Sequence, residues 1–191
     1  QLLKDKLPLD AVREVIPEME EHIYSVKREA ALELLEVNKG DVCIDYGCMW
    51  GVLSIGMAKR GANVLSIDQT QESLEFLNAR IKHDEFDTVT CIQDDIRKIS
   101  IENISDFAIV NGVLEWVPES GDIELKKYYG KKRAKEYPNV SPRIIQTRFL
   151  TKVNDNLKKG GKLLLAIENR YDYAQFFGVR DPHSNLLLTS F

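Results

Sequence analysis

Cysteine is scarce in this chain and follows no recognisable framework. The three cysteines, Cys43, Cys48 and Cys91, form no CxxC pair and no spacing typical of a metal site. An odd number of cysteines without such a framework argues against a disulfide-stabilised secreted protein. We therefore expect free thiols, no bound metal ion and a reducing, cytoplasmic environment.

Long apolar runs and an excess of one charge are also lacking. No segment approaches the length needed to span a membrane, and no signal peptide is visible. The formal net charge is -4, so nothing suggests a general affinity for nucleic acids or anionic membranes. The chain starts at Gln1 rather than methionine, and we expect it to be part of a longer protein that has other domains.

What the sequence does contain is a series of apolar, strand-like segments that alternate with amphipathic, helix-like ones. The pattern predicts strands at 42–46, 63–68, 89–93, 106–112 and 162–168. It predicts helices at 16–37, 51–61, 71–83 and 141–161. This alternation is typical of a parallel sheet covered on both faces. We therefore predict an α/β, Rossmann-like fold with a mostly parallel, doubly wound sheet.

The 191 residues are enough for one domain with its own core. We expect an N-terminal helical segment at 1–40, a core at 41–168 and the start of a substrate-side region at 169–191. A charged insertion at 119–140 interrupts the core and is expected to be exposed. In the first helix, one apolar stripe is expected to face the core, formed by Met19, Ile23, Val26, Ala30, Leu34 and Val37. In the last helix, Ser141 is the expected N-cap and Pro142 the first helical residue.

The turn after the first predicted strand reads DYGCMWG at residues 45–51. In a doubly wound sheet, ligands bind beyond the carboxyl ends of the strands, where the strand order switches direction. A dinucleotide fingerprint starting at Gly47 would require glycine at the positions of Met49 and Val52. No GK[ST] sequence follows, which excludes a phosphate-binding P-loop.

The spacing instead fits D-x-G-x-G-x-G, with Asp45, Gly47, Met49 and Gly51 at the fixed positions. This stretch resembles motif I of the class I S-adenosylmethionine-dependent methyltransferases, with methionine in place of one glycine. The resemblance implies that the turn, including Cys48, passes under the methionine and ribose parts of S-adenosyl-L-methionine. S-adenosyl-L-homocysteine would be the product of the reaction.

The ends of the second and third predicted strands are similar to the same family. Asp68 ends the second strand, followed by Gln69, and a carboxylate there can accept hydrogen bonds from both ribose hydroxyls. The third strand ends in QDDI. Here the resemblance implies that Asp95 and Ile96 meet the adenine, with Asp94 as the alternative one register away.

The fourth predicted strand ends in NGVLEW, which also resembles the family. The resemblance places Asn111 and Gly112 near the methionine end of the cofactor, and residues 114–116 beside the adenine or the substrate. The family's sheet normally closes with further strands that this chain does not reach. We therefore expect the C-terminal region to be truncated.

The effect of Met49 depends on the backbone of the turn. If φ is negative at this position, methionine adds only bulk, and its pliable side chain can turn away from the cofactor. If φ is positive, a side chain costs on the order of 1 kcal/mol. Two functions follow: a methyltransferase that retains its cofactor, or a non-catalytic methyltransferase-like binding domain within a larger protein.

The methyl acceptor is indicated by the segments after the fourth and fifth strands. The sequence lacks the [DN]PP[YFW] motif of enzymes that methylate amino groups of adenine or glutamine. The stretch from 166 to 191 resembles methyltransferases associated with bacterial glycosyltransferases and surface-polysaccharide assembly. This resemblance implies O-methylation of a saccharide or another small polar acceptor.

Candidate catalytic residues follow from the same segments. A hydroxyl acceptor must lose a proton, for which His183 is the best candidate base, and Glu115 is the second candidate catalytic residue. Candidate acceptor contacts are Glu115, Glu168, Asn169, Arg170 and Asp181. Of the other histidines, His22 is expected in a lid and His83 in solvent.

Overall fold

The computed structural model describes residues 6–118, 142–167 and 177–179. The predicted insertion at 119–140 and the predicted cap Ser141 lie outside these residues. Within them, no helix is long and apolar enough to cross a membrane.

Five parallel strands form the centre of the molecule, and the predicted α/β, doubly wound fold is confirmed. They are β1 (Val42–Tyr46), β2 (Asn63–Asp68), β3 (Val89–Gln93), β4 (Ser105–Asn111) and β5 (Leu157–Ala166). Their order across the sheet is β3-β2-β1-β4-β5. The chain adds strands on one side of β1 and then on the other. The strand order therefore switches direction between β1 and β4, where a crevice at the carboxyl ends is expected.

Within the part of the chain that the structure describes, three helices connect the strands: α3 (Val52–Lys59), α4 (Gln71–His83) and α5 (Pro142–Asn156). α3 follows Gly51 and α4 has the predicted bounds. Side chains of β1 enter separate core clusters on the two faces of the sheet. Cys43 packs with Met57 of α3, whereas Ile44 packs with Phe149 of α5. The central strands β1 and β4 are mostly buried, as expected inside a parallel sheet, whereas the edge strands β3 and β5 are partly exposed.

The prediction of one continuous helix at 16–37 is wrong. The chain instead forms α1 (Pro8–Val15), a 3₁₀ turn (Pro17–Met19), α2 (Glu20–Tyr24) and a 3₁₀ helix (Val26–Leu34). Ser25 is extended between the last two elements, and its hydroxyl accepts the Lys27 N–H at 3.3 Å, which starts a new turn.

The apolar stripe assigned to this helix is therefore only partly correct, because Ile23 and Val37 are buried but other members of the stripe are not. A 3₁₀ helix has about three residues per turn, so its side chains drift out of the α-helical phase. Val26 and Leu34 are 72% and 76% exposed, whereas Leu32 and Leu35 are buried.

The boundary between the last helix and the last strand was also predicted wrongly, because residues 157–161 belong to β5 and not to the helix. The buried side chain of Asn156 ends α5. Its Nδ2 donates to the Tyr46 hydroxyl at 2.7 Å, and its Oδ1 accepts the Ile101 N–H at 2.9 Å. These long-range hydrogen bonds fix Asn156 at the edge of the core, where the chain turns into the sheet.

Candidate functional site

The turn after β1 contains three residues with positive φ in alternation: Gly47 at 71°, Met49 at 50° and Gly51 at 74°. The N–H groups of Gly47 and Cys48 both donate to the Ile67 carbonyl, at 2.8 and 3.0 Å, which holds the turn against β2. Of the two possibilities left open for Met49, the positive φ is therefore the one adopted. Met49 is 49% exposed.

Steric contacts within the protein explain both glycines of the turn. A Cβ on Gly51 would lie 2.2 Å from Cδ1 of Leu77, and one on Gly47 would lie 2.6 Å from Cγ2 of Val113. The turn thus needs glycine at these positions for its own packing against α4 and the segment after β4.

Asp68, at the end of β2, is held by the turn. Its Oδ2 accepts the Met49 N–H at 2.9 Å and its Oδ1 accepts the Thr70 N–H at 2.8 Å. The residue is 9% exposed. A carboxylate has about four lone-pair sites, so Asp68 keeps acceptor capacity for hydroxyl groups of a ligand.

Two open cavities meet at Gly47, at the predicted crevice. The β3-side cavity, of about 410 Å³, is lined by Gly47, Asp68, Gln69, Asp95, Ile96, Val113, Trp116 and Val117. The α2-side cavity, of about 520 Å³, is lined by His22, Arg28, Asp45, Gly47, Cys48, Met49, Trp50, Val52, Leu53, Asn111 and Gly112. These volumes include space that is open to solvent. The two linings share Gly47, so the cavities are neighbours at the strand ends, and together they are called the cleft.

The register after β3 places Asp95 and Ile96, and not Asp94, in the lining of the β3-side cavity. However, the Asp95 carboxylate already accepts the Arg97 N–H at 3.0 Å and the Arg97 guanidinium at 2.9 Å. Burial alone would raise the pKa of Asp95, but the hydrogen bonds from Arg97 outweigh it and lower this pKa. Asp95 therefore has little acceptor capacity left for an adenine amino group.

The backbone after β3 offers a clearer contact for a base. Among the described residues, the Ile96 N–H has no acceptor, although Ile96 lines the cavity. Trp116 lines the same cavity and is 42% exposed. An unpaired backbone donor and an exposed aromatic ring suit a flat heteroaromatic group with an acceptor nitrogen.

Asp45 is the buried charge of the α2-side cavity and is 3% exposed. Its Oδ2 accepts the Ser54 hydroxyl at 2.6 Å, and the Ser54 oxygen accepts the Ser66 hydroxyl at 2.8 Å. Burial raises the pKa of Asp45 to about 6, although the Ser54 hydrogen bond opposes the shift; the charge of Asp68 adds to it. A positively charged ligand group near Asp45 would relieve this burial cost.

The end of β4 and the residue after it bring Asn111 and Gly112 to the cleft, and Glu115 lies near Gly112. Asn111 and Gly112 line the α2-side cavity, and the Gly112 N–H donates to the Ala166 carbonyl at 2.8 Å. Oε2 of Glu115 is buried and has no hydrogen-bond partner among the described residues. A Cβ on Gly112 would lie 4.0 Å from Oε1 of Glu115, so this carboxylate stands beside the cavity with unused acceptor capacity.

Several predicted site residues lie outside the described residues: His183, Glu168, Asn169, Arg170 and Asp181. His22, predicted in a lid, lines the α2-side cavity, whereas His83 is on the surface near Asp84. Sequence reasoning missed Arg28, which lines the same cavity as His22. The break at Ser25 turns Arg28 towards the cleft, and the helical pattern gave no signal of that break.

Known proteins with related sequences and folds point to one family. A family model described as a methyltransferase domain matches residues 37–176. No curated protein sequence matches the chain significantly.

Solved structures of methyltransferases share the fold at low sequence identity. A protein from Methanococcus maripaludis, assigned as an S-adenosylmethionine-dependent methyltransferase, is 20% identical with a TM-score of 0.55, over 81% of this chain and 60% of its own. An S-adenosylmethionine-dependent methyltransferase from Mesorhizobium loti is 18% identical with a TM-score of 0.55, over 76% and 54%. Coclaurine N-methyltransferase, bound to N-methylheliamine and S-adenosylhomocysteine, is 14% identical with a TM-score of 0.54, over 75% and 34%. The chain thus spans less than two thirds of each of these structures.

Proposed function

Because the chain belongs to the family of methyltransferase domains whose model matches residues 37–176, we propose that it is an S-adenosylmethionine-dependent methyltransferase. The observation that carries this proposal is the cleft formed by the two cavities that meet at Gly47. The β3-side cavity offers acceptors for hydroxyl groups and contacts for a nucleobase, and the α2-side cavity offers a buried carboxylate. S-adenosylmethionine carries the complementary groups in the same order.

The residues present fit this cofactor. Asp68 would accept the ribose hydroxyls with the lone pairs that the N–H groups of Met49 and Thr70 leave free. The Ile96 N–H and the Trp116 ring would contact the adenine. The turn from 45 to 51 would lie against the methionine part. S-adenosylmethionine, when bound, supplies an electrophilic methyl group and leaves as the thioether S-adenosylhomocysteine.

The chain's own contribution to the reaction is to align the acceptor and to take up its proton. We propose Glu115 for the second task, because its buried Oε2 has no partner among the described residues and it stands beside Gly112. A positioned carboxylate of this kind can accept a hydroxyl proton as the new bond to carbon forms. His183 is the alternative base suggested by the sequence.

For the acceptor we propose a hydroxyl of a saccharide or another small polar molecule, in bacterial surface-polysaccharide assembly. The support is the resemblance of the sequence after β5 and the lack of an amino-methylating motif after β4. We also propose that the chain is a single domain that acts beside other domains of a longer protein. A cytoplasmic location accords with its three free cysteines.

Calorimetric titration with S-adenosylhomocysteine tests the cofactor assignment. We expect micromolar binding by the native chain and a loss of at least tenfold, about 1.4 kcal/mol, in Asp68→Ala. Asp87→Ala is the matched control, because it removes an exposed carboxylate at the opposite end of the sheet. Equal affinities of the native chain and Asp68→Ala would reject the assigned ribose contact.

An acceptor screen then separates catalysis from binding alone. S-adenosylhomocysteine release is measured with saccharide hydroxyls and with amines of similar size, for the native chain and Glu115→Gln. We expect turnover only with hydroxyl acceptors, with kcat reduced in Glu115→Gln by about 100-fold or more. Cofactor binding without turnover on any acceptor would support the non-catalytic alternative.

A further inference from the structure

Arg28 lines the α2-side cavity, although it precedes the residues that match the family model. It belongs to the 3₁₀ helix Val26–Leu34, which precedes the matched residues 37–176. Its side chain is half-buried and lines the cavity together with the glycine turn and Asn111. Any contact made by Arg28 thus comes from a segment outside the residues that match the family model.

The guanidinium of Arg28 has no carboxylate partner among the described residues. The described cations that precede it in the chain each have one: Lys6 pairs with Glu14, Arg13 with Glu20 and Lys27 with Glu21. The neighbouring acid Glu29 pairs instead with Lys59 and Arg60 of the α3 region. Arg28 therefore brings an uncompensated positive charge to the cavity wall.

His22 contacts the Arg28 guanidinium but has no negative charge to neutralise it. Nη1 of Arg28 lies 2.6 Å from the His22 ring, which can accept its N–H at one unprotonated nitrogen only. Burial and the charge of Arg28 lower the pKa of His22, which favours the neutral imidazole that makes this contact. The remaining donors of the Arg28 fork stay available for an anion.

The N-terminal segment is fixed on both sides of Arg28. Glu29 contacts Lys59 at 2.9 Å and Arg60 at 3.2 Å. The Tyr24 ring lies 4.7 Å from the guanidinium of Arg80, which donates to the Trp50 carbonyl at 2.6 Å. These contacts tie the segment to α3 and to the glycine turn, so Arg28 is held at the cavity by docked structure.

The same cavity also contains a buried negative charge. Asp45 lines it and is 3% exposed. A wall with one unpaired guanidinium and one buried carboxylate suits a zwitterion, whose anionic end meets Arg28 and whose cationic end meets Asp45. The amino acid group of a methionine derivative is such a zwitterion.

We propose that Arg28 binds the α-carboxylate of the methionyl part of S-adenosylmethionine and so selects ligands that carry this group. This inference rests on the proposed function. The glycine turn at 45–51 contributes the acid Asp45 and no cation. The contact with the cofactor carboxylate is therefore assigned to the N-terminal segment.

Titration with matched ligands tests the inference. The probes are S-adenosylhomocysteine, its decarboxylated analogue, which keeps the amine, and methylthioadenosine, which lacks the amino acid part altogether. We expect Arg28→Gln to weaken S-adenosylhomocysteine binding by about 10- to 100-fold, the usual range for a lost hydrogen bond to a charged group. Its affinity for the decarboxylated analogue and for methylthioadenosine should stay within about twofold of the native value.

Two further variants exclude indirect effects. Lys27→Gln removes the adjacent cation, which is exposed and paired with Glu21, and is expected to leave all affinities unchanged. Arg28→Lys keeps the charge without the fork and should recover part of the lost affinity. Thermal unfolding of each variant shows whether the fold is intact.

The outcomes separate this inference from the proposed function. If Arg28→Gln loses affinity equally for all three probes, Arg28 supports the fold of the cleft and the inference is rejected. If native affinity is already equal for S-adenosylhomocysteine and its decarboxylated analogue, no carboxylate contact exists. If the native chain binds none of the probes, the proposed function fails, and this inference with it.

Discussion

At the scale of single residues, Met49 carries a side chain at a φ of 50°. This conformation costs on the order of 1 kcal/mol for a residue with a Cβ, whereas glycine adopts it freely. Because glycine also loses more chain entropy on folding, we expect Met49→Gly to be more stable than Met49→Ala by about 0.5–1 kcal/mol. Urea unfolding of both variants measures this difference.

The alanine variant is the matched control, because it removes the bulk of the side chain and keeps the strained φ. If methionine obstructs the cofactor by bulk alone, both variants should bind S-adenosylhomocysteine more tightly than the native chain. An alanine variant as stable as the glycine variant would mean that position 49 is unstrained in solution.

Asp45 predicts a pH dependence whose sign follows from burial. Its pKa rises from 3.8 to about 6 in the folded chain, so the folded state holds more protons than the unfolded state between these values. Native stability due to this group is therefore present at low pH and lost as pH rises through the window. Asn at this position cannot ionise. As the pH rises from 4 to 7, the free energy of unfolding of Asp45→Asn should therefore increase relative to that of the native chain by on the order of 2–3 kcal/mol.

Denaturant unfolding of both proteins at a series of pH values measures this gain. Glu72→Gln is the control, because Glu72 is exposed on α4 and its substitution should give a nearly constant difference. A pH-independent difference between native and Asp45→Asn would show that the Asp45 carboxyl titrates normally in the folded chain.

The position of a residue at the end of a strand could be predicted from the sequence. Which hydrogen bonds or cavities a side chain reaches in the folded protein could not. Asp68 was assigned because it directly ends an apolar strand, and it lines the cavity. The pairing of Asp95 with Arg97 uses acceptor capacity that the sequence assigned to a ligand. Arg28 reaches the cleft only because the chain breaks at Ser25, which no periodicity indicated.

At the scale of elements, the docking of the N-terminal segment depends on Glu29, whose side chain is 15% exposed. Its two ion pairs join the 3₁₀ helix Val26–Leu34 to the α3 region. Glu29→Gln should destabilise the chain by about 1 kcal/mol or less. It should also speed amide exchange in residues 20–34 selectively, because loss of a docking contact favours local opening. Hydrogen exchange measured by mass spectrometry tests this expectation.

Glu21→Gln is the matched control, since Glu21 pairs with Lys27 and both side chains are highly exposed, at 76% and 82%. It should change the free energy of unfolding by no more than about 0.5 kcal/mol and leave the rate of amide exchange in residues 20–34 unchanged. If the two variants behave alike, the ion pairs of Glu29 do not hold the segment.

The strands and helices of the core could be predicted because each follows one hydrophobic period and ends at a recognisable polar or turn residue. The bounds of β2, β3 and α4 agree with the apolar pattern residue by residue. The N-terminal segment was not predictable, because Pro17 and Ser25 divide it into short turns whose burial is decided by contact with α3. The end of α5 depends on Asn156 and its bond to Tyr46, a partner far away in sequence.

At the scale of the whole molecule, the switch in strand order beside β1 brings the ends of β1, β2, β3 and β4 to one cleft. A ligand in this cleft contacts several elements at once, and its binding should stabilise the entire fold. At about 100 times its Kd, S-adenosylhomocysteine should stabilise the chain by about 2.7 kcal/mol and raise Tm by about 5–10 °C. Differential scanning fluorimetry measures this shift.

Asp68→Ala should lose about half of the shift in Tm or more at the same ligand concentration, because its affinity is expected to fall at least tenfold, whereas Asp87→Ala should keep the full shift. An equal shift in Asp68→Ala would place the ligand elsewhere on the protein.

A crystal structure of the chain grown with S-adenosylhomocysteine tests the central claim most directly, namely that one cofactor spans both cavities across Gly47. We expect the ribose hydroxyls at Asp68, the adenine between the Ile96 N–H and Trp116, and the carboxylate at Arg28. A ligand bound outside this cleft, or a cleft that stays empty at saturating ligand, would show that the proposed cofactor site is wrong.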